Sequence, residues 1–155
     1  MSRNTTYNQP HSAFKLNGVF YDNSELSTLA DQYLKIGAGF QNSLGRFIHQ
    51  WMDSNSDISL QTSGSTGPPK TVLMSKHAMV NSAIATGDYF KLKPGDSALS
   101  CLLYEFIAAK MMFVRAYVLG LELDVVEPNS NPLEALTKSY DFCAMVPLQL
   151  ENSIQ

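Results

Sequence analysis

An α/β fold with a parallel-sheet unit is predicted by three features of this 155-residue sequence. Near-continuous apolar runs of strand length recur as "SALSCLL" (97–103), "ELDVVEP" (122–128) and "YDFCAMVP" (140–147). Stretches of helical character separate them: "EFIAAKMMFVRAYVLG", closed by Gly120, and the shorter "NPLEALTKS". Strands apolar on both faces need cover on both faces, which crossover helices provide in a parallel sheet, so residues 97–147 read as a βαβαβ unit. With 45% hydrophobic against 16% charged residues, the chain can bury the core that such a unit demands.

Taken in order, residues 1–24 are polar and broken by Pro10, Gly18 and Asn23, although "AFKLNGVFYD" can form a short strand pair turning at Asn17-Gly18. From Ser24 and Ser27, Leu26, Leu29, Ala30, Tyr33 and Leu34 recur at helical spacing, and Gly37 and Gly39 stop the pattern. A second helix is expected from about Phe40, with Leu44, Phe47, Ile48 and Trp51 on one face and His49 on the solvated side. Residues 58–75 read as strand, loop and strand: "ISLQTS", a glycine-rich stretch, then "TVLMS". Ser75 can cap a further helix through Met79, Ala83, Ile84 and Phe90, and "KPGD" (93–96) is a turn. Within the last long helix, Met111, Met112, Val114 and Val118 read as packing toward the sheet, and Cys101 and Cys143, in apolar runs, as small buried hydrophobes.

The chemistry concentrates in "TSGSTGPPK", residues 62–70. A phosphate chain needs several donors converging on a small volume, and consecutive backbone amides in a glycine-permitted bend supply them. Thr62, Ser63, Ser65 and Thr66 add hydroxyls, and Lys70 adds a positive charge. The spacing from Gly64 to Lys70-Thr71 comes close to the P-loop pattern of nucleotide hydrolases, but Pro69 stands where that loop needs an amide-donating glycine. The residues after Lys70 are also β-branched and apolar rather than helix-opening. A plain surface turn is the other reading of such a composition.

In its order, "TSGSTGPPK" resembles the phosphate-binding signature of the acyl-adenylate-forming (AMP-binding) superfamily, which includes acyl- and aryl-CoA ligases, luciferases and the adenylation domains of peptide synthetases. The helix start Ser75-Lys76-His77 fits the same pattern, with His77 a helix-start residue. The resemblance implies that these residues are the N-terminal portion of that superfamily's large domain, a single partial domain over 1–155. It implies that Thr62, Ser63, Gly64, Ser65, Thr66, Gly67 and Lys70 grip the β- and γ-phosphates of ATP and the departing pyrophosphate. The segment "CLLYEFIAAKMMFVRAYVLGLELDVVEP" is similar to the short o-succinylbenzoate-CoA ligases of menaquinone biosynthesis, those of the Bacteroidetes type. Where the superfamily usually places an aromatic-histidine pair this chain has Tyr104, Glu105 and Phe106, so that histidine's role is not carried over.

The implied activity is that of an acid-thiol ligase: a carboxylic acid and Mg-ATP give an acyl-adenylate, and the thiol of CoA then displaces AMP. ATP, Mg2+ and CoA are the implied cofactors, and a small carboxylic acid, o-succinylbenzoate, the implied partner. The superfamily's later motifs, a Tyr-Gly-x-Thr-Glu segment and a late lysine, do not occur here, so the chain alone is expected to be inactive and no catalytic residue is assigned. A fragment cut inside a parallel sheet is also expected to expose apolar surface through which it can self-associate. A non-catalytic binding module that kept the fold and loop is the alternative from a different class. A formal charge of −3 with scattered Lys and Arg argues against a nucleic-acid surface. Neither a signal-peptide pattern nor a stretch near the ~20 apolar residues of a membrane span is present, which leads to the expectation of a cytoplasmic protein.

Overall fold

A computed structural model describes residues 8–62 and 67–154. The architecture is mixed α/β, with a four-stranded parallel sheet in the order β1-β5-β4-β6 and a separate antiparallel hairpin.

The chain enters the sheet as β1 (Lys15–Leu16), which pairs in parallel with β5 (Glu122–Val125). The strand pair expected at Asn17-Gly18 shrinks to one antiparallel bridge between Leu16 and Val19. Both turn residues do take positive φ, 49° and 81°, as an Asn-Gly turn requires. The pair goes no further because the next donor on that edge, the Phe14 N–H, turns back to His11 O at 2.9 Å, while on the other edge Lys15 N–H donates to Leu121 O at 3.2 Å and Asn17 N–H to Leu123 O at 2.8 Å, joining the strand to β5.

Helix α1 (Asn23–Ile36) starts one residue ahead of Ser24, and its cap is Asp22. The Asp22 carboxylate accepts the Glu25 amide and the Glu25 carboxylate accepts the Asp22 amide, each at 2.8 Å, a capping box that satisfies two donors at once. Helix α2 (Gly39–Met52) buries Leu44, Phe47, Ile48 and Trp51 as its periodicity requires. It packs closely on α1, where a Cβ on Gly45 would stand 2.9 Å from the Ala30 carbonyl oxygen. His49, on the outer side, meets the Asp31 carboxylate at 3.0 Å.

Strands β2 (Asp57–Thr62) and β3 (Lys70–Ser75) form the hairpin, and α3 (Lys76–Phe90) follows without a linker. Ser75 caps it, its hydroxyl accepting the Ala78 amide at 3.0 Å. The segment β4 (Ser97–Ser100), α4 (Ile107–Leu119) and β5 realises the first half of the expected βαβαβ unit. The second half differs. Between β5 and β6 (Phe142–Ala144), "NPLEALTKS" forms turns over 132–135, not a helix. Its bonds, Glu134 N–H to Asn131 O and Leu136 N–H to Leu133 O, span three residues each in the tight pattern of turns and are not continued by the four-residue spacing of an α-helix. A final short helix, α5 (Pro147–Ser153), follows β6.

Helix α4 is buried almost all round, wider than a sheet-facing stripe. It lies between α3 and the sheet, and a helix covered on both sides can be apolar on both. Met111, Met112, Val114 and Val118 are all buried there. An aromatic cluster ties α4 to α2 and the N-terminal segment: Phe47 meets Phe113 edge-on at 5.7 Å, Trp51 meets Tyr117 at 5.9 Å, and Phe14 meets Phe113 at 5.8 Å. Cys101 is buried and Cys143 half-buried; both are free thiols, with sulfurs 3.9 Å apart. Among the described residues no helix is long and apolar enough to cross a membrane.

Gly120 ends α4 in the left-handed region at φ 78°, and a Cβ there would run into the His11 ring. Gly120→Ala therefore combines a backbone penalty of roughly 1–2 kcal/mol with a steric one. A loss of at least about 1 kcal/mol in the urea-unfolding midpoint analysis is expected, and an unchanged midpoint would show that the helix end is free to relax.

Candidate functional site

The hairpin is held by one strand and released by the other. Along β2, Ile58 and Leu60 alternate into the core at 1% and 7% exposure. On β3, Val72 and Leu73 are exposed at 44% and 68%. The ladder runs from Asp57 opposite Ser75 at the base to Thr62 opposite Lys70 at the tip, so the glycine-rich loop starts and ends on one register pair. There the Thr62 hydroxyl donates to the Lys70 carbonyl at 3.1 Å, closing the loop's neck.

The base is fastened by Lys76, whose side chain is wholly buried. Its ammonium donates to the Asp53 carbonyl at 2.8 Å and to Asp53 Oδ1 at 2.9 Å, and its amide donates to Ser56 O at 2.8 Å. One side chain thereby joins the end of α2 to the junction of β3 and α3. Partial desolvation pushes the Asp53 carboxyl up, but the hydrogen bonds from Lys76 and Asn55, with the charge of Lys76, outweigh it and hold the carboxyl below its usual range.

Of the residues expected to grip phosphate, the structure brings Thr62, Gly67 and Lys70 to the exposed tip. Among the described residues no carboxylate lies within ion-pair distance of Lys70. Ser63, Gly64, Ser65 and Thr66 lie outside the described residues. His77 is exposed, its ring nitrogen within 3.3 Å of the Asn81 side-chain amide. Residues that the sequence reading passed over are Asp53 and Lys76 at the base and Lys110 near the tip. A lysine isolated in an apolar run, as in "IAAKMMF", was the available signal for the last.

Two concavities adjoin these elements. One, of about 340 Å3, lies between α2, β2 and the entry to α4, and includes Gln61, the residue before Thr62. The other, of about 320 Å3, sits beyond the C-terminal ends of β4 and β6, where open parallel sheets commonly bind ligands. Its wall is apolar, with Phe106, Pro128, Val146 and Leu148. Gln149 braces it, donating to the carbonyls of Cys101 at 3.0 Å and Asn129 at 2.9 Å.

An open parallel α/β sheet with a separate hairpin carrying a glycine- and hydroxyl-rich loop defines the class of this protein. The chain belongs to the AMP-binding enzyme family, whose family model matches residues 26–147. It is similar to the acyl-CoA synthetase (AMP-forming)/AMP-acid ligase II-like protein from Dyadobacter fermentans, with a TM-score of 0.69 and 38% identity over 81% of this chain. It spans 36% of that relative's length. The N-terminal subdomain of Klebsiella oxytoca NpsA, solved with 3-hydroxybenzoyl-AMSN, aligns over 59% of this chain and 26% of its own at 24% identity, with a TM-score of 0.42, too low to argue from. No curated protein matches the chain.

The base of the hairpin makes an acid-sensitive contribution to stability. The folded Asp53 carboxyl is depressed, so its contribution is full above the unfolded carboxyl range near pH 3.9 and is lost as pH falls through the lower folded value. Asp53→Asn is expected to cost about 2 kcal/mol near neutral pH, less than a fully buried pair because Asp53 is partly solvated. Chemical denaturation of both proteins across pH 2–7 checks this: the gap should narrow at the acid end, and a gap constant with pH would exclude the charge effect.

Proposed function

We propose that this chain supplies the phosphate-gripping hairpin of an enzyme that activates a carboxylic acid with ATP as an acyl-adenylate and then transfers the acyl group to the thiol of CoA. The observation that carries the reading is "TSGSTGPPK" at the exposed tip of a hairpin anchored at its base and along β2, with Lys70 exposed and free of any described carboxylate. Such a loop offers donors in a bend and a cation that ion pairing has not already neutralised, which is what the β- and γ-phosphates of ATP need. Thr62, Ser63, Gly64, Ser65, Thr66, Gly67 and Lys70 are the residues assigned to that grip.

Membership of the AMP-binding enzyme family supports the class of reaction. The first step moves charge onto the leaving pyrophosphate, and Lys70, exposed at the tip of the hairpin, is the cation we assign to meet it. Bound with the nucleotide, Mg2+ would neutralise part of the phosphate charge. Among the described residues no cluster of three or more His, Cys, Asp or Glu is placed to hold a metal, so we assign the ion to the nucleotide's phosphates, its usual mode. For the acid we infer o-succinylbenzoate, supported by the resemblance of Cys101–Pro128 to the short ligases that use it.

Titration of the 155-residue chain with inorganic pyrophosphate tests the grip. Lys70→Ala is expected to weaken binding about tenfold, ~1.4 kcal/mol, without shifting the thermal midpoint, since its side chain is exposed. Equal affinity in the variant would remove Lys70 from the phosphate site. For the reaction, acid-dependent exchange of pyrophosphate into ATP is measured with the acid varied; a protein with every family motif that exchanges with no carboxylic acid would sink the ligase reading.

A further inference from the structure

We propose that the cavity between α2, β2 and the start of α4 is an oxyanion site, centred on Lys110 and separate from the glycine-rich loop. Lys110 is only 7% exposed and lines this cavity, yet its ammonium has no hydrogen-bond acceptor among the described residues. Its ammonium lies over the face of Phe47, with the nitrogen 5.9 Å from the ring centroid. A cation–π contact attracts the charge but occupies none of the ammonium's three N–H donors, which are left to face the cavity. A carboxylate or phosphate oxygen entering the cavity would satisfy them.

The surroundings favour a negative guest. Lys110 sits in the first turn of α4, where the helix dipole is positive and where no side chain caps the exposed amides. No acidic residue occupies that turn. Arg46, on α2, lines the same cavity, and Gln50 and Gln61 add amide donors. The counter-charge already present is Glu105, whose carboxylate meets Arg46 at 3.9 Å. Both of those side chains are more than half exposed, and so long and solvated a pair gives way at little cost. Burial holds the Lys110 ammonium below the usual lysine range, and Glu105 only partly opposes it, the electrostatic mark of a cation lacking a full partner.

The location limits the guest to two sources. Gln61 lines the cavity and immediately precedes Thr62 at the loop's neck, so the oxyanion is either a carboxylate of the acid or a phosphate oxygen of the nucleotide. The site itself rests on Lys110; only this choice of source rests on the ligase reading above.

The test uses the 155-residue chain, with benzoate and inorganic pyrophosphate titrated separately and followed by amide chemical shifts in NMR. Lys110→Met keeps an unbranched side chain of similar length without the charge, and Lys110→Arg restores the charge if packing alone were at issue. Lys110→Met is expected to weaken one of the two probes about tenfold, with shifts mapping to Ser59, Gln61 and the α4 entry, while Lys110→Arg keeps most of the affinity. Loss of benzoate binding, unaffected by Lys70→Ala, assigns the site to a carboxylate. Loss of pyrophosphate binding in both the Lys110 and the Lys70 variants assigns it to the nucleotide. Unchanged affinity for both probes in Lys110→Met, with the native spectrum retained, overturns the site whether or not the ligase reading stands. Should Lys110→Met fail to fold, no saturable shift around the cavity in the parent chain with either probe overturns it equally.

Discussion

The buried ammonium of Lys76 is the contact on which the arrangement of the candidate site depends. It joins the last turn of α2, through both oxygens it reaches on Asp53, to the point where β3 becomes α3. A lysine loses a great deal of hydration when wholly buried, so it stays there only if its donors and its charge are met on the spot. That requirement gives the junction one geometry. The base of the hairpin is thereby located relative to the helical core, while its far end, the Thr62–Lys70 pair five residues up the ladder from Asp57, projects outward beyond the buried Ile58 and Leu60.

Behind this junction, α4 and the aromatic cluster do the work of a core. Phe47 is shared: one edge meets Phe113 in the centre, and its face meets the Lys110 ammonium at the cavity. Packing and electrostatics are thus continuous from the middle of the domain to the edge of the proposed anion site. The same α2 helix carries Trp51 into the core and Arg46 to the cavity rim, so its rotation about its own axis sets both at once.

Much of the fold was legible because it rests on periodicity and on local chemistry. The face of α2 from Leu44 to Trp51, the Ser75 cap of α3 and the closure of α4 at Gly120 each follow from short-range rules, and each forms. Three local readings were overturned, each for its own reason. Asn17-Gly18 turns, but the Phe14 donor that would extend a hairpin goes to His11, and the other edge of the strand joins β5. Asp22 caps α1 in place of a serine because Glu25 can answer it. The stretch after Pro132 has helical composition, but its backbone bonds close in the tight pattern of turns and no α-helical ladder follows.

What the sequence determined by itself is chemistry that lives in contiguous residues: the ordered loop Thr62–Lys70, its distinction from a P-loop through Pro69, and alternating strands and helices that demand a parallel sheet. Spatial order was beyond it. That β4 lies inside, between β5 and β6, and that the N-terminal β1 joins the same sheet, depend on pairings over 100 residues apart in the case of Lys15 and Glu122. The two lysines behave likewise. Lys76 and Lys110 read as ordinary charges in sequence, because burial is a property of what folds over a side chain, and only the tertiary structure decided that one finds Asp53 while the other faces a cavity.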